Sequence, residues 1–136
     1  VVSYNEQELK LLARLMRAEA EGEGALGMLM VGNVGVNRVL ANCLDFKDIT
    51  SIYKMVFQRP GGFEATLNSY FYQSARQSDI KLAKRSLKGE RHDPATKALW
   101  FYSTTENCSA QWWGQWNSGR YKSHCFYAPV DSENCY

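Results

Sequence analysis

The sequence predicts an α+β domain, mainly helical with a small antiparallel sheet near the C-terminus. Three observations carry this. Apolar residues recur at helical spacing through the first forty positions. From Ala98 that periodicity gives way to two short aromatic runs, Ala98-Leu99-Trp100-Phe101-Tyr102 and Cys125-Phe126-Tyr127, which read as strands able to pair. The 136 residues, 45% of them hydrophobic, suffice for one domain over 1–136 with a core of its own. No internal repeat or low-complexity tract suggests another architecture.

The first helix opens at Asn5, which with Glu8 three residues on has the form of a capping box, and runs to about Ala20. Leu9, Leu12, Ala13, Leu15, Met16 and Ala20 form one apolar stripe, and Glu19 falls on it, three residues beyond Met16 and four beyond Leu15. A carboxylate on an apolar face loses hydration, which raises its pKa toward the range useful to a general acid near neutral pH. The negative end of the helix dipole acts in the same direction. Glu21 instead follows Arg17 by four residues and Arg14 by seven, so it is expected on the solvated face in an ordinary ion pair. Gly22 and Gly24 end the helix.

A second helix, from about Ala25 to Leu40, is apolar almost all round and is expected to run through the centre of the domain. Asn33 and Asn37, four apart, share one of its faces. Buried amides need partners, so that face meets either polar backbone or a cleft, with Asn37 the candidate cleft residue and Asn33 the structural one. A third helix is expected near Lys47 to Phe57, then a loop through Arg59-Pro60-Gly61-Gly62, and a polar helix from about Tyr72 to Leu87. Phe63 and Glu64, directly after the loop glycines, suit substrate contact, although a loop aromatic serves equally as an anchor.

Between the strands, Trp112, Trp113 and Trp116 alternate with Gln111, Gln115, Asn117, Arg120 and Tyr121 in a segment too polar for a core. Aromatic faces among amides suit stacking on sugar rings and bonding to their hydroxyl and acetamido groups, while tryptophans also commonly anchor long loops. His124, Tyr102 and Tyr127 are candidate cleft-lining groups with an alternative as ordinary strand residues. The 16 basic and 14 acidic residues include no run long enough to mark a nucleic-acid partner or an anionic membrane surface. The longest apolar stretch, around Ala25 to Val36, is interrupted by glycine and too short to span a bilayer. Val1-Val2 carries none of the marks of a signal peptide, so the chain is expected to be made without one of its own, unless an upstream segment has been trimmed.

Cys43, Cys108, Cys125 and Cys135 allow three pairings; Cys108 with Cys125 is the favoured one, and the core is expected to hold the fold without them. No close Cys-x-x-Cys pair supports a structural zinc, and His92 and His124 are too few for a zinc amidase, so no metal and no cofactor is expected. His124 and Cys125 are neighbours on a strand and point to opposite sides, which disfavours a cysteine peptidase; Cys108 with His124 is the remaining arrangement.

The run from Leu11-Leu12-Ala13-Arg14 through Glu19-Ala20-Glu21-Gly22-Glu23 to Gly32-Asn33-Val34-Gly35-Val36-Asn37-Arg38 resembles the signature of the SleB/CwlJ family of spore cortex-lytic cell-wall hydrolases. The similarity continues through Phe63-Glu64, Gly89-Glu90, Ala98 to Tyr102 and Ser123-His124-Cys125-Phe126-Tyr127, and so covers nearly the whole chain. The Leu15-Met16-Arg17-Ala18-Glu19 wording and the Lys122 to Tyr127 ending look closest to the CwlJ branch. The resemblance implies a lysozyme/transglycosylase-like fold and Glu19 as the catalytic acid. It also implies peptidoglycan glycan strands as substrate, another spore coat protein as a candidate partner, and a place at the spore coat/cortex boundary during germination.

Cleavage between muramic acid and N-acetylglucosamine needs a proton on the departing oxygen, which protonated Glu19 can supply. A lytic transglycosylase, the favoured reading, needs only this carboxylate. A hydrolytic muramidase or glucosaminidase usually needs a second, for which Glu23, one turn on, is the candidate and Glu64 and Asp79 are weaker ones. A non-catalytic glycan-binding coat protein, with Glu19 a satisfied buried acid, is the alternative from another class.

Overall fold

The computed structural model describes residues 2–60 and 62–136; Val1 and Gly61, the latter in the loop expected after Arg59, lie outside the described residues. Helix α1 spans Glu6–Ala20 and helix α2 Gly24–Leu40, joined by a 3-10 turn at Glu21–Glu23. The capping box is formed: the Asn5 side chain accepts from the Glu8 amide at 2.8 Å, and the Glu8 carboxylate accepts from the Asn5 amide at 3.1 Å. The second oxygen of Glu8 accepts from the Tyr53 amide at 3.1 Å, so one carboxylate caps α1 and ties down the start of a third helix.

That helix, α3, is shorter than expected, Ile52–Val56. Ser51 is extended (φ −144°, ψ 160°) and its hydroxyl accepts from the Lys54 amide, which starts the helix there and leaves only a 3-10 turn, Leu44–Phe46, in the segment before it. The polar helix is likewise shorter at its start: α4 covers Gln77–Leu87 because Arg76 is extended and Asp79 accepts from its amide, while Asn68 caps a separate turn at Ser69–Tyr72. Helices α1, α2 and α4 pack on one another, and Leu12, Leu15, Met16, Leu29, Met30 and Val34 are buried between them. Among the described residues no helix is long and apolar enough to cross a membrane.

The sheet has four antiparallel strands in the order β1-β4-β3-β2: β1 Trp100–Ser103, β2 Gln111–Trp112, β3 Gln115–Tyr121 and β4 His124–Ala128. The two expected strands pair as β1 and β4, with Phe101 opposite Phe126. The tryptophan-rich segment, expected as a polar connection, forms β2 and β3 instead. Its two-residue turn is Trp113-Gly114, both at positive φ (53° and 80°), the conformation a tight right-twisted hairpin requires.

All four cysteines are paired. Cys108–Cys125 is the anticipated bond, tying the β1–β2 connection to β4. Cys43–Cys135 joins a second small apolar cluster of Ala41, Phe46 and Leu99, and fastens the C-terminal segment to the chain just beyond α2.

Candidate functional site

Helical phase places Glu19 where the stripe on α1 predicts, against the start of the Glu64–Leu67 turn, and Oε2 accepts from the Ala65 amide at 3.1 Å. Its pKa is raised. Burial is the main cause, the nearby Glu64 charge adds to it, and the Ala65 amide and the Arg38 guanidinium oppose it. The carboxyl faces a cleft of about 860 Å³. One wall comes from Leu44, Asp45 and Phe46, a second from Gly62, Phe63 and Glu64, a third from β1, and the last from Trp112, Trp113 and Gln115 of the hairpin.

Arg38 lies beneath this cleft, although the sequence reading did not select it. It is 5% exposed, its Nε donates to the Leu99 carbonyl at 2.7 Å, and its guanidinium lies over the rings of Phe63 (4.3 Å) and Phe46 (5.0 Å). Burial pushes it down to about 10, with Glu19 acting the other way. The signal was available: Arg38 is the one charged residue in a helix otherwise apolar or amide-bearing.

Phe63 and Glu64 both line the cleft, in different capacities. Phe63 is 5% exposed and packed between Arg38 and Phe101, so it anchors the loop, while Glu64 is exposed at the rim. Gly62 is required by close approach, since a Cβ there would sit 1.9 Å from the Gln58 carbonyl oxygen. Tyr102 lines the cleft, stacked on Tyr127 and edge-on to Trp112. Tyr127 is fully buried beneath it; its hydroxyl donates to the Ser109 carbonyl at 2.6 Å, so it braces Tyr102 and does not line the cleft.

Asn37 is a correction. It is 3% exposed, its amide donates to the carbonyls of Ala95, Thr96 and Ala98, and its oxygen accepts from Arg91. Its face of α2 meets polar backbone, as Asn33 does through Glu90 and His92. His124, expected at the cleft, is 2% exposed and enclosed by Phe101 and Phe126, with Nδ1 3.9 Å from Glu23.

Glu23, the candidate second carboxylate, does not line the cleft with Glu19. It accepts from the Ser123 amide at 2.9 Å and from the Ser123 hydroxyl, and Lys122 donates to its backbone carbonyl at 3.0 Å. Burial raises its carboxyl, but the two Ser123 bonds with His124 and Lys122 outweigh that and hold it below the ordinary carboxylate range. Asp79 is fully buried and bonded to Arg76. Glu21 forms a surface ion pair as expected, but with Arg76 at 3.0 Å, and it accepts a hydrogen bond from the Tyr70 hydroxyl. Arg17 is not on the solvated face: it is 4% exposed, capping the Gln73 and Ser74 carbonyls. Among the described residues no group of three or more His, Cys, Asp or Glu side chains is placed to hold a metal ion.

The sequence model of the Cell Wall Hydrolase family matches residues 22–127, a span that begins three residues after Glu19. The chain is 63% identical over 133 residues to the cell wall hydrolase CwlJ of Oceanobacillus iheyensis, covering 98% of this chain and 94% of that one. It is 52% identical over 135 residues to the CwlJ of Bacillus subtilis, covering 99% and 94%. Among solved structures, the catalytic domain of the Bacillus cereus SleB protein superposes with a TM-score of 0.74 at 22% identity over 92% of each chain. The catalytic domain of the germination-specific lytic transglycosylase SleB from Bacillus anthracis also gives 0.74, at 20% identity over 92% of this chain and 97% of that one. The fold is thus that of the SleB catalytic domains, and the chain belongs to the cell-wall hydrolase family that includes the CwlJ proteins.

Proposed function

We propose that the protein is a peptidoglycan glycosidase of the spore cortex, acting as a lytic transglycosylase on the bond between muramic acid and N-acetylglucosamine. The observation that carries this is Glu19: a carboxyl whose pKa burial raises, held at one side of an aromatic-walled cleft large enough for several sugar rings. Its relatives are named cell wall hydrolases, and one structural neighbour is named a germination-specific lytic transglycosylase. A place at the spore coat/cortex boundary, with another coat protein as partner, belongs to the same reading.

Protonated Glu19 gives its proton to the departing glycosidic oxygen as positive charge grows on the muramic acid ring. The new carboxylate then takes the proton of that ring's own C6 hydroxyl, whose oxygen closes on the anomeric carbon to leave a 1,6-anhydro end. Glu19 returns protonated, so one carboxyl completes the cycle. The Ala65 amide fixes the acid's position, and Arg38 steadies its ionised form between the two steps.

A hydrolytic reading has one observation in its favour: the Glu64 charge lies near enough to raise Glu19, so it could activate water. Digestion of cortex peptidoglycan with wild type and Glu19→Gln, followed by mass spectrometry, separates the two. Anhydro ends from wild type, falling by at least about a hundredfold in the variant, are expected. Reducing ends that carry added water would assign hydrolysis, and equal cleavage by both proteins would remove Glu19 from the chemistry.

A further inference from the structure

Each tryptophan of the hairpin has a different environment. Trp116 donates from its indole nitrogen to the Pro129 carbonyl at 3.2 Å. Trp112 packs on Tyr102 and Tyr127, with centroids 4.9 and 5.5 Å away. Trp112 is thus packed within the cleft wall, and Trp116, though half exposed, lies outside the cleft. Trp113 is 85% exposed, yet it belongs to the wall of the cleft that holds Glu19. It also occupies a left-handed turn position (φ 53°), where Asn, Asp or Gly is normally found and a bulky side chain costs stability. Burial cannot explain an aromatic that pays for its backbone and covers no core.

On the reading of the cleft given above, we infer that Trp113 is a sugar-stacking platform at the hairpin rim, a binding subsite that holds the glycan strand away from the bond being cut. An indole face matches the flat C–H face of a hexose in either residue of an alternating strand, so the contact adds affinity without dictating register. The two-residue turn sets the backbone at Trp113, and Cys108–Cys125 ties the adjoining connection to β4, so the rim that carries the ring is tethered before the strand arrives. The cleft's continuity from Glu19 to Trp113 makes the occupant the substrate polymer itself.

The test uses Trp113→Asn, which removes the ring and suits the left-handed backbone, and Trp113→Tyr, which keeps a stacking face. In a Glu19→Gln background, co-sedimentation with insoluble cortex peptidoglycan should weaken by about tenfold for Trp113→Asn, with most of the binding kept by Trp113→Tyr. The melting temperature of Trp113→Asn should equal or exceed that of its parent. In the cleaving enzyme, KM for long glycan strands freed of stem peptides should rise about as much, with kcat little changed. Unchanged sedimentation would overturn the assignment and would point to a protein partner at this rim. Binding lost in step with a lowered melting temperature would also overturn it, as a structural role. Because sedimentation needs no bond cleavage, it decides the role of Trp113 even if the glycosidase reading fails.

Discussion

The two disulfides close loops of very different length, and that difference sets a testable order of stability. Cys43–Cys135 spans 92 residues of sequence and Cys108–Cys125 spans 17. Cross-linking restricts the unfolded chain by an amount that grows with the logarithm of loop length, giving about 4.6 kcal/mol for the longer loop and about 3.1 kcal/mol for the shorter. For a chain of 136 residues these correspond to losses of about 16 °C and about 11 °C in melting temperature. Both bonds together are comparable to the lower part of the total stability of about 7–20 kcal/mol expected at this size, so the core is not expected to hold the fold comfortably without them. The assay is calorimetry of Cys43→Ala/Cys135→Ala and Cys108→Ala/Cys125→Ala beside wild type, with and without reductant. Reductant should lower the wild type by more than it lowers either variant. The longer loop also bears on the cleft, because Cys43 directly precedes the Leu44–Phe46 wall, so its loss should raise KM. A larger loss from the 17-residue loop would refute the loop-length reasoning, and a wild type indifferent to reductant would refute the pairing itself.

Two further substitutions probe the acids around Glu19. Glu64→Gln removes a negative charge that raises the Glu19 pKa, so that pKa falls and the alkaline limb of the pH–rate profile, where Glu19 loses its proton, moves to lower pH. The rate at the optimum should stay near wild type; a loss of about a hundredfold would instead make Glu64 the base of a hydrolase. Glu23→Gln weakens the bonds to Ser123 and should cost about 2 kcal/mol in urea denaturation at neutral pH. Since the folded-state pKa of Glu23 lies below its ordinary 4.5, that contribution is complete above 4.5 and lost as pH falls through the folded value. The gap between variant and wild type should therefore close in acid, and a gap independent of pH would show that the Glu23 charge is not what matters.

The parts of the fold written locally were legible. Asn5 and Glu8 marked the start of α1 through bonds three residues long, and the aromatic runs at Trp100 and Phe126 marked the two strands that pair. Strand β3 was hidden because six of its seven residues are neither buried nor patterned in alternation. Its hairpin turn was hidden because Trp113 stands where turn chemistry leads one to look for Asn or Gly. The starts of α3 and α4 were lost to apolar and polar residues that would suit a longer helix; Ser51 and Asp79 override them by bonding backbone amides.

The site divides the same way. Glu19 follows from phase within one helix, whereas the partners that decide the roles of Asn37 and Glu23 lie about sixty and a hundred residues away, at Ala95 to Ala98 and at Ser123. Glu23 is the instructive case, because its spacing of four from Glu19 would set the two carboxylates side by side on a continuous helix. Ala20 leaves helical geometry at φ −144°, and the 3-10 turn that follows turns Glu23 to the β3–β4 connection, where Ser123 and Lys122 engage it. The carboxylate one helical turn on is thus committed to joining the end of α1 to the sheet. The chemistry proposed above consequently rests on one acid, and Glu64, which shares the cleft with Glu19 and whose charge acts on it, is the first residue to substitute in telling transglycosylation from hydrolysis.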